Sequence, residues 1–246
     1  EKDIDKIIEE GFRKNRIKAT LDFSEAISCT DATIICVGTP STDKGDLDLS
    51  YIYNTAKQIG ESIRVKNTFH TILIRSTVQP GTNKEVCKII EEVSGKKSKK
   101  DFSVVSNPEF LREGSAVKDY FNPPFTLIGT DNPESINIAK EIYSEVNAPL
   151  EVVDIKIAEM IKYINNSFHA LKIAFANEIG NISNKININS QELMRIFCLD
   201  NQLNISARYL RPGFAYGGSC LPKDLRALKT LAGDHSVLTP VIDSIH

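Results

Sequence analysis

The sequence predicts an α/β fold: a mostly parallel sheet with helices on both faces, followed by an all-helical region built around one long helix. Three observations carry this. Short continuous apolar runs alternate with helical patterns over the first 150 residues. From about residue 155 the apolar residues instead recur every third or fourth position. The chain has 246 residues, 41% of them hydrophobic, with a net charge of −2, which is enough apolar material for a proper core.

Residues 3–14 read as a helix, and Asp22-Phe23-Ser24-Glu25 as a capping box that opens a short second one. Residues 33–38 form an uninterrupted apolar strand, 50–64 a helix, 71–76 a second buried strand and 81–94 a helix. Residues 103–106 and 125–129 read as strands, and 133–146 as a helix. Buried apolar strands separated by helices make a parallel sheet covered on both sides. Beyond it, Ile161, Ile164, Phe168, Leu171, Phe175, Ile179, Ile182 and Ile186 mark one face of a single proline-free helix. That helix is longer than one small domain needs, so it is expected to pack against a second subunit. Residues 190–197, 222–232 and the end from Pro240 read as further helices. The boundary is expected near residues 149–154, giving an α/β domain over 1–150 and a helical one over 151–246.

The near-neutral charge argues against nucleic acid as the main partner. The one basic cluster, Lys96-Lys97-Ser98-Lys99-Lys100, lies between a helix and a strand and reads as a solvated loop. Five cysteines, an odd number with no C-x-x-C pair, suit a reducing cytoplasm and disfavour a disulfide framework or a structural metal. No apolar run approaches the roughly 20 residues that a membrane span needs.

The segment richest in chemistry is Pro212-Gly213-Phe214-Ala215-Tyr216-Gly217-Gly218-Ser219-Cys220-Leu221-Pro222-Lys223-Asp224. A lone cysteine is ordinarily a small buried hydrophobe. Here it follows a glycine-rich loop and precedes a proline suited to a helix start, where dipole and free N–H groups favour a thiolate. Lys223 adds positive charge, and Asp224 lies one helical turn on. A thiolate with a nearby carboxylate to handle water can make and hydrolyse a thioester.

Ligands of open α/β sheets bind beyond the carboxyl ends of the strands. Two such ends, Val37-Gly38-Thr39-Pro40-Ser41 and Ser76-Thr77-Val78-Gln79-Pro80-Gly81-Thr82, offer hydroxyls and N–H groups to an anion or cofactor. In Ser106-Asn107-Pro108-Glu109-Phe110-Leu111-Arg112-Glu113-Gly114, Glu109 and Glu113 would share a face if the segment were helical. Lys162, Asn166 and His169 follow one side of the long helix, where a buried lysine could stabilise a developing alkoxide or oxyanion.

Taken together, Gly38-Thr39-Pro40, residues 76–82, Asn107-Pro108-Glu109-Phe110-Leu111-Arg112-Glu113, Ala158-Glu159-Met160-Ile161-Lys162 and residues 217–224 resemble, in order and over nearly the whole chain, the UDP-glucose/GDP-mannose dehydrogenase family. Within that family residues 174–181, 203–206 and 209–214 are similar to the GDP-mannose branch. The resemblance implies an incomplete Rossmann-type NAD-binding domain followed by an all-α central dimerisation domain. It also implies a four-electron oxidation of a nucleotide-sugar C6 alcohol to the acid, using two NAD+. Cys220 would be the nucleophile. Asp224 would help activate water that Thr77 holds, Lys162 and Asn166 would stabilise charge on the C6 oxygen, and Glu109 would serve as acid/base. Thr39, Pro40, Ser76, Thr77 and Lys223 would line NAD. Glu113, Lys162, Asn166, His169, Tyr209, Arg211 and Gly217 would contact the nucleotide sugar, and Asn177 would reach the partner subunit's site. UDP-glucose or a UDP-N-acetylhexosamine stays open as substrate, and so does a role as a dimerisation module alone. No G-x-G-x-x-G precedes the first strand, so the resemblance implies a fragment that is inactive by itself.

Overall fold

The structure is a computed structural model that describes residues 3–42, 47–206 and 221–245, apart from the side chains of residues 221–224, 226 and 227. The chain divides into two compact units, Glu1–Ile164 and Asn165–His246.

In the first unit, α1 (Ile4–Arg13) and α2 (Phe23–Ser28) lead into β1 (Ala32–Ile35), followed by α3 (Ser50–Ile63), β2 (His70–Ile74), α4 (Thr82–Ser94) and β3 (Phe102–Ser106). Then come α5 (Ala116–Phe121), β4 (Thr126–Gly129), α6 (Pro133–Ile142), β5 (Leu150–Val153) and the start of α7 (Ile155–Lys185). The five strands stand in sequence order in one sheet. All neighbours are parallel except β3 and β4, which meet antiparallel through Ser106 opposite Gly129.

Side-chain alternation builds a core on each face of the sheet. Ile72 and Ile74 of β2, with Phe102 and Val104 of β3, join Ile52, Ile59, Val86 and Ile90 of α3 and α4. Leu73 and Val105 point the other way, against Ile128 and Ala139. Parallel strands buried on both faces explain why β2 and β3 have no exposed residue.

The structure corrects several element assignments. β1 ends at Ile35, so residues 36–38 are loop. At Asp22 only half of the capping box forms: its carboxylate accepts from Glu25 N at 3.0 Å, while the Glu25 carboxylate turns to Lys18 and Thr20. α6 stops at Ile142, and Tyr143 caps it. α5 and β5 were not anticipated, nor was the antiparallel pairing of β4. Gly129, at that pairing, has no room for a side chain: a Cβ would lie 2.6 Å from Ala158 Cβ and 2.9 Å from Ile155 Cα.

In the second unit, the end of α7 packs with α9 (Leu221–Asp234) and α10 (Pro240–Ser244) around Ile182, Ala232 and Ile242. α8 (Ser190–Phe197) has its N-terminus capped by Asn189, whose side chain accepts from Glu192 N. Glu178 of α7 caps α10, accepting from Val241 N at 2.7 Å and Ile242 N at 3.1 Å. The apolar stripe of α7 is thus covered near its C-terminal end, while Ile164, Phe168 and Leu171 remain 38–49% exposed. No helix among the described residues is long and apolar enough to cross a membrane.

His70 opens β2 fully buried, its Nε2 2.8 Å from the Thr33 hydroxyl. Burial, with help from the Lys66 charge, lowers its pKa from 6.5 to about 4. The unfolded chain therefore takes up a proton below pH 6.5 that the folded chain refuses until about pH 4, and stability falls as pH falls through this window. Lowering the pH from 7 to 5 is expected to cost about 2 kcal/mol through this group. Urea midpoints at the two pH values check it: the drop should be smaller in His70→Gln by that share.

Candidate active site

Two loops come together at the carboxyl ends of β1 and β2. The backbone N–H groups of Arg75 and Ser76 both donate to Ile35 O, at 3.0 and 3.2 Å. The Ser76 hydroxyl donates to Val37 O at 2.6 Å, and the Thr39 hydroxyl donates to Thr77 O at 2.9 Å. Thr39, Ser76 and Thr77 are half-buried and Pro40 is exposed. The second loop ends at Gly81, whose φ of 102° begins α4 in a conformation that favours glycine. The backbone N–H groups of Gly38, Thr39, Thr77, Val78 and Gln79 donate to no protein acceptor among the described residues. Unpaired donors beside half-buried hydroxyls, at the end of parallel strands, suit the oxygens of a dinucleotide.

The third loop follows β3 and begins with a buried polar knot. Asn107, fully buried, donates from Nδ2 to Leu127 O at 3.0 Å. Its Oδ1 accepts from Arg75 Nη1 at 3.2 Å and from the Tyr143 hydroxyl at 2.5 Å. Arg75 also donates to the Tyr143 oxygen at 2.8 Å. Burial pushes the Tyr143 phenol up, keeping it a neutral donor. The strand bearing the second loop is thereby tied to the third.

The third loop delivers Glu109 to α7. Lys162 donates from Nζ to Glu109 O at 2.6 Å and to Glu109 Oε1 at 2.8 Å. The lysine side chain is 11% exposed and the glutamate 29%. The ammonium also stands 5.7 Å from the centre of the Phe110 ring. The other oxygen, Glu109 Oε2, accepts from Leu111 N at 2.6 Å. An ammonium carries three donors, and two are engaged here.

The structure thus unites Thr39, Ser76 and Thr77 in one place, and Glu109 with Lys162 in another. It separates Glu109 from Glu113: residues 107–112 are not helical, and Glu113 lies exposed in the following turn, so the two carboxylates share no helical face. Pro108 disfavours helical geometry at Asn107, and the Glu109 carboxylate bonds its own backbone two residues on. Asn166, His169 and Asn177 are exposed on α7. Lys223 and Asp224 lie in the first turn of α9, but their side chains are not described. Tyr209, Arg211, Gly217 and Cys220 lie outside the described residues. Sequence reasoning assigned no role to Asn107, Arg75 or Glu159. Glu159 carried a legible signal, an acidic residue three positions before the lysine in the Ala158–Lys162 motif.

Residues 1–147 match the model for the UDP-glucose/GDP-mannose dehydrogenase family, NAD binding domain, and residues 156–246 match that for the family's central domain. The chain is 49% identical over 243 residues to a GDP-mannose 6-dehydrogenase of Pseudomonas syringae, covering 98% of this chain and 56% of that protein. It is 36% identical over 245 residues to a UDP-glucose 6-dehydrogenase of Rickettsia felis, covering 98% and 52%. Among solved structures, a ternary complex of GDP-mannose dehydrogenase from Pseudomonas aeruginosa superposes with a TM-score of 0.97 at 46% identity, covering 100% of this chain and 56% of that one. A UDP-glucose dehydrogenase from Pyrobaculum islandicum gives 0.79 at 34%, again covering 100% and 56%. The chain spans about half the length of the curated relatives it matches. With both of its parts matched by the family's domains, and in chain order, this chain belongs to the UDP-glucose/GDP-mannose dehydrogenase family.

Proposed function

We propose that this chain carries the cofactor loops and catalytic groups of an enzyme that oxidises the C6 alcohol of a nucleotide sugar, GDP-mannose, to the carboxylate. The observation that carries the reading is the state of Lys162. It is a nearly buried ammonium, neutralised by Glu109, with one donor uncommitted among the described residues. That is suitable equipment for an oxygen that gains negative charge during reaction. GDP-mannose is preferred because relatives named for it are more similar than those named for UDP-glucose, at 49% against 36% identity.

NAD+, held by the loops of Thr39, Pro40, Ser76 and Thr77 with Lys223, supplies the hydride acceptor when bound. The chain's own groups would do the rest. Lys162 and Asn166 hold the C6 oxygen as its proton leaves and the carbon is oxidised to an aldehyde. Cys220 sulfur adds to that aldehyde as a thiohemiacetal, so the reactive carbonyl does not escape. Loss of a second hydride gives the thioester. Water, directed by Asp224 and Thr77 with Glu109 as base, then cleaves the C–S bond, releasing the acid and the thiol. The balance is one alcohol, one water and two NAD+ giving one carboxylic acid, two NADH and two protons. Glu113, His169, Tyr209, Arg211 and Gly217 are proposed to bind the nucleotide sugar, and Asn177 to reach the site of a second subunit.

The test is turnover by the full-length protein. Two NADH per uronate formed, with GDP-mannose at least about tenfold better in kcat/KM than UDP-glucose, is the expected result. No NADH from any nucleotide sugar would refute the reading, and a preference for UDP-glucose would refute the choice of branch. We also propose that a second copy of the chain, in the cytoplasm, covers the exposed stripe of Ile164, Phe168 and Leu171. A monomer in sedimentation at micromolar concentration contradicts this.

A further inference from the structure

Glu159 stands one turn before Lys162 on α7, is 3% exposed and has no part in the chemistry above. Its carboxylate reaches out of its own helix to the start of α4. Oε2 accepts from Gly81 N at 2.7 Å, and Oε1 accepts from Asn83 N at 2.9 Å and from Asn83 Nδ2 at 2.7 Å. α4 has no capping side chain of its own, because its N-cap residue is Gly81. A helix lacking a local cap leaves its first N–H groups unsatisfied and its positive end uncompensated. Glu159 supplies both from a distant part of the sequence.

The consequence reaches beyond stability because of what lies on either side. The loop that ends at Gly81 carries Ser76 and Thr77, the residues proposed to meet NAD. Three residues after Glu159, Lys162 grips Glu109. The first turns of α7 thus hold the cofactor loop with one side chain and the substrate-side loop with another. α4 packs into the core through Val86 and Ile90, and the Thr82 hydroxyl closes on Gln79 O at 2.7 Å. Beside its first turn a cavity of about 320 Å³ opens, with Gly81, Asn83, Cys87, Val104 and Glu159 among its walls. There the hydrogen bonds of the carboxylate tie the start of α4 to α7.

We propose that Glu159 is a positioning residue that keeps the Thr77 loop in register with Lys162, so that cofactor and sugar oxygen meet at the correct separation. The proposal rests on the reading that residues 76–82 face NAD. In Glu159→Gln the side chain keeps its size, but an NH2 group replaces one of the two accepting oxygens and faces an N–H donor.

Two readouts in the full-length protein test it. Without cofactor, amide hydrogen exchange of Gly81 and Asn83, the two backbone N–H groups that Glu159 holds, should quicken about tenfold in Glu159→Gln, the equivalent of about 1.4 kcal/mol, while residues 160–164 stay unchanged. With NAD+ and GDP-mannose as probes, KM for NAD+ should rise about tenfold while KM for the sugar nucleotide holds within about twofold. Faster exchange with an unchanged KM for NAD+ would make Glu159 a helix cap and nothing more, and overturn the proposal. Unchanged exchange would overturn it as well. A wild-type protein that makes no NADH from any nucleotide sugar would instead sink the functional reading, and this inference with it. Should Glu159→Gln fail to fold, Asn83→Ala removes one donor and leaves the carboxylate; the same two shifts, smaller, are expected, and their absence overturns the proposal.

Discussion

Replacing Cys220 with serine is expected to abolish acid formation, with turnover to the uronate falling by more than about a thousandfold. A serine hydroxyl at the same place is neither acidic enough to ionise near neutral pH nor as nucleophilic as a thiolate. Any ester it formed would resist water better than a thioester does. The sequence context favours the thiolate at this position: α9 begins at Leu221, directly after Cys220, with Pro222 and Lys223 in its first turn. The informative measurement is the number of NADH formed per sugar consumed. Without a thiol to trap the aldehyde the second oxidation lacks its adduct, so at most one NADH per sugar is expected in place of two. Retention of two NADH per sugar in Cys220→Ser would overturn the thioester route. A full loss of both would leave the first oxidation dependent on the cysteine as well, and the order of steps would need revision.

How much of this could be read before folding follows from what each feature depends on. β2 and β3 were legible because burial on both faces demands continuous apolar runs, and His70–Ile74 and Phe102–Ser106 come close to that ideal. β5 was not. Leu150-Glu151-Val152-Val153 lies half-exposed beyond β4, and Glu151 breaks the run, so residue type alone does not mark it as a strand. The direction of β4 was equally hidden. Strand polarity is set by how the chain returns, here through the short α5, which buries no residue and so has no core-facing pattern to betray it. α7 was legible over its length, since three- and four-residue spacing is what an α-helix imposes on a covered face.

For the site, residue type and local order were enough to nominate the loops of Thr39 and Thr77, Glu109 with Glu113, and Lys162 with Asn166 and His169, and the family resemblance supplied their roles. They were not enough to set Glu109 against Lys162. Glu109 and Lys162 lie 53 residues apart and meet only because β3 ends beside the first turns of α7. The local spacing that was available pointed to Glu109 with Glu113 instead, a pairing that a helix would have made and that the loop around Pro108 does not. Glu159 shows the same limit from the other side. Its bonds to Gly81 and Asn83 bridge 78 and 76 residues, so its partners were invisible even though the residue itself sat in a recognised motif.

Lys162→Met is expected to lower kcat by about a hundredfold to a thousandfold while leaving KM for the nucleotide sugar within about threefold, the signature of a contact made mainly in the transition state. Methionine keeps most of the apolar stem of lysine, one atom shorter, and removes the ammonium with its donors to Glu109 and its cation–π contact with Phe110. Glu109 is 29% exposed and keeps its bond from Leu111 N, so the orphaned carboxylate remains solvated and the fold should tolerate the change. Arginine should not rescue activity. Its planar fork would satisfy Glu109 but cannot place a compact third donor where Nζ stands. If Lys162 acts on the C6 oxygen, hydride transfer becomes the slow step once the lysine is gone. A sugar deuterated at C6 should then give a larger isotope effect on kcat in Lys162→Met than in the wild type. A kcat within threefold of wild type would remove Lys162 from the chemistry. A large loss of kcat with no rise in the isotope effect would place its contribution in a step other than oxidation, such as thioester hydrolysis, where Glu109 would be its natural partner.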